Sequence, residues 1–270
     1  MRGNGYEKLA IKGASSGFGR LLAERVATNG DHVIAVARRE DRLRELAADH
    51  DSVTPLVADL TAPDVEQRLG TAIDAAGGLD ILVNNAGYGL FSAVEQTPDS
   101  EARAVFDTNL FAPLAVLRAA LPSLRANRGR VLQLSSMLGE VAWLGSGVYS
   151  ASKAAIELAT EGLALELAPF GVRVTIVVPG IFATDFAATS RRVPPDETYA
   201  PTVGAFFRDF AAQPREAFGE PSSVVEAILT AVAADEPPLR IAVGTDAVQS
   251  IRASLTSRLS ELDRWGFVPN

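Results

Sequence analysis

The sequence contains no cysteine, which excludes disulfides, thiolate–zinc sites, iron–sulfur clusters and cysteine nucleophiles. It has only two histidines, His32 and His50, so Ser–His–Asp hydrolysis and multi-histidine metal sites lack their side chains. Lysine is almost as scarce, because Lys8, Lys12 and Lys153 stand against 22 arginines. We therefore expect no metal site, and each lysine is a candidate for a specific role.

Long hydrophobic runs are also missing. The longest apolar stretches, such as residues 110–117, are well below the roughly 18 residues of a membrane span. Residues 1–6 reach the first apolar run too quickly for a signal peptide. The net charge of −8 disfavours contact with phosphate backbones. These observations predict a cytoplasmic protein that binds neither nucleic acid nor membrane.

The 270 residues have an ordinary globular composition, with 47% hydrophobic and 21% charged residues. Short apolar runs alternate with helical patterns, which favours a doubly wound parallel α/β sheet with helices on both faces. A single domain over residues 1–270 fits this length. Strands are predicted over 9–11, 32–37, 53–57, 80–83, 130–134, 172–178 and 239–243.

Helices are predicted between these strands. The pattern gives a helix over 17–28, another that begins at Pro63, and a long one over 98–124 with a break near Asp107. Further helices are predicted over 39–49, over 148–168 and from the last strand to residue 264.

A glycine-rich turn separates the first strand from the first helix. It reads Gly13-Ala14-Ser15-Ser16-Gly17-Phe18-Gly19. Glycines permit a tight turn and a close approach of the backbone, and the free N–H groups at a helix start attract a diphosphate. Such a turn alone is a weak signal, but its position between strand and helix strengthens it.

Further motifs follow in order along the chain. They are Asp59-Leu60, Asn84-Asn85-Ala86-Gly87, Asn109, Ser136, Tyr149-Ser150-Ala151-Ser152-Lys153, and Pro179-Gly180 with Thr184. With these motifs, the sequence resembles the short-chain dehydrogenase/reductase family over nearly its whole length. The resemblance implies a Rossmann-like sheet of about seven strands, a nicotinamide cofactor and a homodimer or homotetramer.

The cofactor residues follow from this resemblance. It implies that Asp59 binds the adenine amine, that Asn85 lies near the adenosine ribose, and that Thr184 lies near the nicotinamide amide or the diphosphate. Most of these positions come just after predicted strands, where open parallel sheets bind ligands. The expected cofactor contacts are Gly13, Ser15, Ser16, Gly17, Phe18, Gly19, Arg38, Arg39, Asp59, Leu60, Asn85, Ala86, Gly87, Tyr149, Lys153, Pro179, Gly180 and Thr184.

The end of the second strand indicates which cofactor is preferred. An acidic residue there would bind the ribose 2′-hydroxyl of NAD, but this chain has Ala37-Arg38-Arg39. Since a guanidinium matches a phosphate, we expect NADP(H) to be preferred over NAD(H). Arg38 is the main candidate and Arg39 the second; the alternative is that both only begin a solvated helix.

Tyr149 and Lys153 are four residues apart and therefore share a helix face. A nearby ammonium stabilises a phenolate and lowers the pKa of tyrosine from its usual value near 10. The resemblance implies that Tyr149 is the general acid, that Ser136 binds the substrate oxygen, and that Asn109 holds a water next to Lys153. Taken alone, the Tyr–Lys pair also fits an ordinary surface helix.

Lys12 departs from the family pattern, which usually has threonine before the first glycine. A buried ammonium needs a partner, so the sequence offers three alternatives. Lys12 contacts the cofactor diphosphate, pairs with a carboxylate such as Asp59, or fills the cofactor groove.

Several apolar residues near the motifs are candidates for the substrate pocket, and the irregular segment 183–221 is a candidate substrate loop. The predicted function is NADPH-dependent reduction of an apolar ketone, cyclic and aromatic ones included, or oxidation of the corresponding secondary alcohol. The alternatives are a non-redox isomerase, dehydratase or cyclase, and a cofactor-sensing protein without turnover. The main pocket candidates are Tyr88, Leu138, Trp143, Phe182 and Phe186, with Leu90, Met137, Val141, Phe206, Phe207 and Phe210 as further ones.

Overall fold

A central sheet organises the computed structural model, which describes residues 7–267. The described strands are β1 (Lys8–Lys12), β2 (His32–Ala37), β3 (Val53–Val57), β4 (Ile81–Asn84), β5 (Leu90–Phe91), β6 (Arg130–Leu134), β7 (Arg173–Pro179), β8 (Arg191–Arg192) and β9 (Arg240–Val243). Seven of them form a parallel sheet in the order β3-β2-β1-β4-β6-β7-β9, and β5 pairs with β8 in a separate small sheet.

Helices connect the strands and cover both faces of the sheet. They are α1 (Gly17–Thr28), α2 (Glu40–Asp49), α3 (Val65–Ala75), α4 (Asp99–Phe106), α5 (Ala112–Asn127), α6 (Gly147–Leu167), α7 (Phe186–Thr189), α8 (Ala205–Ala211), α9 (Ser222–Ala233) and α10 (Thr245–Trp265). The predicted doubly wound architecture is confirmed.

The core has one apolar layer on each face of the sheet. Successive side chains of a strand point to opposite faces, so in β1 Ile11 joins the layer under α1, α2 and α9, while Ala10 joins the layer under α3 and α5. Both faces of the strands are therefore apolar, as parallel sheets require.

The predicted break in the long helix is present. Between α4 and α5 the backbone forms a π-helical turn, Asp107–Phe111. The prediction for Pro63 is wrong by two residues, because α3 begins at Val65 and Pro63 lies in the preceding turn.

The helical stretch Asp99–Asn127 differs from the expectation that no part of the chain approaches the length and hydropathy of a membrane span. By length and composition alone it is apolar enough to cross a membrane. The core helix of a globular protein passes the same test, and Val116, Leu117 and Leu124 of α5 are buried in the layer on the sheet. Packing against the sheet thus accounts for their apolar character.

The sheet order creates the place for a site. β1 and β4 are neighbours in the sheet, yet the chain runs from β1 outward to β2 and β3 before it returns to β4. The connections at the carboxyl ends of β1 and β4 therefore diverge, and open α/β sheets bind ligands in the crevice formed there.

Candidate active site

A cavity of about 1030 Å³ opens at the carboxyl edge of the sheet. It brings together most of the residues predicted for the cofactor, whereas Gly19 does not line it. The predicted cofactor residues in its wall are Gly13, Ser15, Ser16, Gly17, Phe18, Arg38, Arg39, Asp59, Leu60, Asn85, Ala86, Gly87, Tyr149, Lys153, Pro179, Gly180 and Thr184.

Two positions of the glycine turn, Gly13 and Gly19, leave no room for a side chain. Gly13 has a φ of +76°, which favours glycine, and a Cβ on Gly19 would lie 2.4 Å from the Gly13 carbonyl oxygen. Asn85 Nδ2 donates to the Lys12 carbonyl at 3.1 Å and so joins the turn to the end of β4. Gly19 therefore lies behind the turn, and the start of α1 faces the cavity as a diphosphate site requires.

Two arginines follow β2 and differ in their contacts. Arg39 donates from Nη2 to the Ser15 hydroxyl at 3.0 Å and to the Ser16 hydroxyl at 2.6 Å. The exposed Arg38 has neither a hydrogen bond nor an ion pair with the residues that the structure describes. Asp59 accepts from the Thr61 amide and hydroxyl at 2.9 and 2.8 Å, and these bonds lower the pKa of Asp59.

Tyr149, Ser136 and Lys153 meet at the other end of the cavity. Burial raises the pKa of Tyr149, and the neighbouring Ser136 side chain acts in the opposite direction. The Lys153 ammonium lies 6.0 Å from the centre of the Tyr149 ring and donates to the Leu134 carbonyl at 3.2 Å. Burial lowers the pKa of Lys153 to about 8. This arrangement places a phenol, a hydroxyl and an ammonium together, and these groups can carry out general acid–base catalysis.

Asn109 lies in the π-helical turn and is buried beside this group, although it does not line the cavity. Its Nδ2 donates to the Tyr88 carbonyl at 3.0 Å and to the Ser152 hydroxyl at 3.1 Å, while its Oδ1 accepts from the Tyr88 amide. The amide therefore holds the segment after β4 against α6. Gly87 lies beside it, where a Cβ would be 3.4 Å from Lys153 Nζ.

Lys12 does not form the expected ion pair with a protein carboxylate. It is 1% exposed, its ammonium has no hydrogen-bond partner among the described residues, and it does not line the cavity. The expected pair with Asp59 is wrong, because the Asp59 carboxylate is held by Thr61. The prediction that Lys12 fills the cofactor groove is also wrong, because Lys12 does not line the cavity. The side chain instead lies on the sheet face under α5 and α6, next to Asn84 in register.

The end of the cavity next to Tyr149 is aromatic. Trp143 packs edge-on against Phe206 at 6.0 Å, and the Tyr149 ring lies 5.8 Å from both Phe91 and Phe186. The predicted pocket residues that line this cavity are Tyr88, Met137, Leu138, Trp143, Phe182, Phe186, Phe206, Phe207 and Phe210.

Some pocket predictions differ from the structure. Leu90 is a core residue, and neither it nor Val141 lines the cavity. Phe182 packs edge-on against Phe18, at the glycine turn rather than beside Trp143. Other lining residues were not expected from the sequence. Phe91 lies in the two-residue strand β5, which has no detectable period, and Ile181, Gln213, Arg215 and Phe218 lie outside the long helices and the central sheet.

The comparisons with known proteins agree with this geometry. The family model for short chain dehydrogenases matches residues 7–194. The chain belongs to the short-chain dehydrogenase family. It is 35% identical to the oxidoreductase BOA17 of Botryotinia fuckeliana over 88% of this chain and 89% of that protein. It is 34% identical to a 3-ketodihydrosphingosine reductase of Bacteroides thetaiotaomicron over 87% of each chain.

Solved structures of this family share the whole fold. A short-chain dehydrogenase from Streptomyces avermitilis is 36% identical and superposes with a TM-score of 0.88, covering 97% of both chains. A short chain dehydrogenase from Burkholderia cenocepacia, solved in complex with NADP, is 28% identical with a TM-score of 0.76 over 98% of both chains. As a short-chain dehydrogenase, this protein is an NAD(P)-dependent oxidoreductase of small molecules.

Proposed function

We propose that this short-chain dehydrogenase reduces apolar ketones with NADPH and, in reverse, oxidises the corresponding secondary alcohols. One observation carries the proposal: Tyr149, Ser136 and Lys153 meet in a cavity that is aromatic at one end and carries the glycine turn and two arginines at the other. An apolar pocket with a few convergent polar groups is the usual form of a small-molecule site.

The chain's own residues handle the proton and the orientation of the substrate. In ketone reduction, Tyr149 donates its proton to the carbonyl oxygen while the Ser136 hydroxyl hydrogen-bonds that oxygen. Lys153 stabilises the phenolate that remains and binds the nicotinamide ribose. When bound, the nicotinamide supplies the hydride. Asn109 keeps the backbone after β4 in place, and the aromatic wall excludes water.

The preference for NADP(H) rests on Arg38. Its guanidinium is exposed at the cavity wall and makes neither a hydrogen bond nor an ion pair in the described part of the chain, so it is available to a 2′-phosphate. The relative from Burkholderia cenocepacia that was solved with NADP supports the same choice. Arg39 remains the second candidate, although its contacts with Ser15 and Ser16 also give it a role in holding the turn.

We expect Arg38→Ala to weaken NADPH binding about ten- to a hundredfold and to leave NADH binding nearly unchanged, because one charge-assisted bond is lost. The matched variant Arg39→Ala should weaken the binding of NADPH and of NADH to a similar degree, since it loosens the glycine turn that both cofactors contact. Calorimetric titration of each variant with each cofactor measures this. Equal weakening of both cofactors by Arg38→Ala would contradict the assignment.

The function itself is tested by the absorbance of NADPH at 340 nm with a panel of cyclic, aryl and long-chain ketones. Oxidation of NADPH that depends on the ketone supports the proposal. NADPH binding without oxidation by any ketone would favour a cofactor-sensing protein, and conversion of a substrate without change at 340 nm would favour an isomerase, dehydratase or cyclase.

Further parts of the proposal concern organisation. We assign residues 1–270 to one domain, with segment 183–221 as its substrate loop, since α7, β8 and α8 supply cavity residues such as Phe186, Arg192 and Phe206. We also place the protein in the cytoplasm as a homodimer or homotetramer, the assemblies common in its family. Size-exclusion chromatography with light scattering measures the oligomeric state.

A further inference from the structure

Glu157 is a buried carboxylate on the helix that carries Tyr149 and Lys153. The three residues follow one another at intervals of four on α6, so they lie along one face of the helix. Glu157 is only 3% exposed, and it does not line the cavity. A buried charge without a partner is strongly destabilising, so its contacts indicate what it does.

The Glu157 carboxylate connects α6 to the strand end that carries Ser136. The Ser135 hydroxyl donates to Glu157 Oε1 at 2.5 Å. Ser135 directly precedes Ser136 and directly follows Leu134, whose carbonyl accepts from the Lys153 ammonium. One short segment after β6 is thus tied to α6 twice, by Glu157 and by Lys153.

The other groups that face Glu157 are all charged or titratable. Arg240 Nε of β9 lies 3.4 Å from Glu157 Oε2 and 3.3 Å from Glu140 Oε1, and its Nη2 lies 2.7 Å from Glu161 Oε2. The Glu140 carboxylate also lies close enough to Glu157 to raise the pKa of Glu157. Lys153, one helical turn before Glu157, completes the set.

These surroundings make the charge of Glu157 responsive to its neighbours. Burial is the main reason why the pKa of Glu157 is raised to about 7, and Glu140 raises it further, while Ser135 and Arg240 oppose the shift. In turn, the Glu157 carboxylate raises the pKa of Lys153, against the burial that lowers it.

We propose that Glu157 is a positioning residue for the reaction, which keeps Lys153 protonated and fixes the Leu134–Ser136 segment through Ser135. This inference rests on the proposed roles of Tyr149, Ser136 and Lys153. Glu157 itself touches neither the cavity nor a substrate, and it acts through Lys153 and Ser135. The arrangement explains why three acidic side chains converge on the single arginine of β9.

The scarcity of lysine allows a direct test of the charge of Lys153. Protein labelled with ¹³C at lysine Cε gives signals only from Lys8, Lys12 and Lys153, and Lys153→Met assigns the last one. We expect the Lys153 signal to titrate near pH 8 in the wild type. In Glu157→Gln the midpoint should fall by about half to one pH unit, because the favourable carboxylate charge is lost.

Two further variants sharpen this test. Glu161→Gln removes the same charge from the same helix and the same arginine, but at a half-exposed position further from Lys153, so it should leave the midpoint unchanged. Arg240→Met removes the cation that keeps Glu157 ionised. It should therefore lower the titration midpoint of Lys153 although Glu157 itself is not substituted. Glutamine still accepts the Ser135 hydroxyl, so we expect Glu157→Gln to fold.

The rates decide whether this charge matters for the reaction. The alkaline limb of kcat/KM for ketone reduction should move down with the Lys153 midpoint, so that Glu157→Gln loses roughly three- to tenfold at pH 9 and less at pH 7. A Lys153 midpoint that is the same in Glu157→Gln and in the wild type would overturn the inference, as would a shifted midpoint with an unchanged pH profile. A wild type without turnover would refute the proposed function instead, and the ¹³C titration would still decide whether Glu157 sets the charge of Lys153.

Discussion

Replacement of Tyr149 by phenylalanine is expected to slow ketone reduction by roughly a hundred- to ten-thousandfold, because the proton donor is lost. The ring itself should stay in place, since it packs 5.8 Å from both Phe91 and Phe186. The fold and the affinity for NADPH are therefore expected to remain close to those of the wild type. Steady-state kinetics at saturating NADPH, together with a calorimetric titration of NADPH, measure both quantities.

Tyr88→Phe is the matched control for this prediction. Tyr88 also lines the cavity, and burial also raises the pKa of its phenol, but it has no role in proton transfer in the proposed reaction. Because Tyr88 belongs to the wall of the proposed substrate pocket, its loss of a hydroxyl is expected to act on KM and to leave kcat nearly unchanged. Near-native turnover of Tyr149→Phe, or an equal loss in both variants, would remove Tyr149 from the mechanism.

The sheet and its helices could be predicted because they depend on local patterns. α1, β2, β3 and β6 have the predicted bounds, since each is a short run that ends at a turn. β2 and β6 are buried almost throughout, whereas Thr54 and Pro55 of the edge strand β3 are exposed. The break before α5 was also predicted near Asp107, where the π-helical turn begins. The shared helix face of Tyr149 and Lys153 follows from their spacing, which is a local property, whereas the convergence of Ser136 with Tyr149 was expected only from the family resemblance.

Other parts of the site depend on contacts that no local pattern encodes. β5 and β8 have two residues each and pair across about a hundred residues of sequence, so the position of Phe91 at the cavity was not expected. Glu157 had no signal apart from its spacing to Lys153, because Ser135 and Arg240 reach it from distant strands. The partners of a buried charge are set by the tertiary structure, and for the same reason the environment of Lys12 was predicted wrongly.

Lys12 leads to the second prediction, an increase in stability when its amine is removed. Burial, and to a lesser extent the charge of Lys153, lowers the pKa of Lys12 to about 7. Across the adjacent strands it is in register with Asn84, and Asn84 with Gln133, and all three residues have a buried polar atom without a partner among the described residues. Lys12→Met keeps the length of the side chain and removes the amine, so it should stabilise the fold at neutral pH.

The pH dependence of the stability difference between the wild type and Lys12→Met follows from the lowered pKa of Lys12. In the unfolded chain Lys12 has its ordinary pKa of about 10.5, whereas in the folded protein burial lowers the pKa to about 7, so it loses the proton near neutral pH. The unfolded state therefore binds more protons between these values, and the wild type gains stability relative to Lys12→Met as the pH rises. The pH-dependent part of the variant's advantage should be on the order of 5 kcal/mol below pH 7 and should be lost above pH 10.5, where only the cost of burying the neutral amine remains.

Urea denaturation of both proteins at pH 6.5 and at pH 9.5 measures this difference. Lys8→Met is the control on the same strand: the Lys8 ammonium is near the surface and donates to the Gly77 carbonyl, so its removal should not raise stability at either pH. If Lys12→Met is no more stable than the wild type at pH 6.5, the amine has a partner in solution. A separate calorimetric titration tests the cofactor: a weaker affinity of Lys12→Met for NADPH would identify the diphosphate as a partner of the amine. Unchanged affinity together with increased stability would show that Lys12 is a buried amine that destabilises the fold and that the cofactor site does not use.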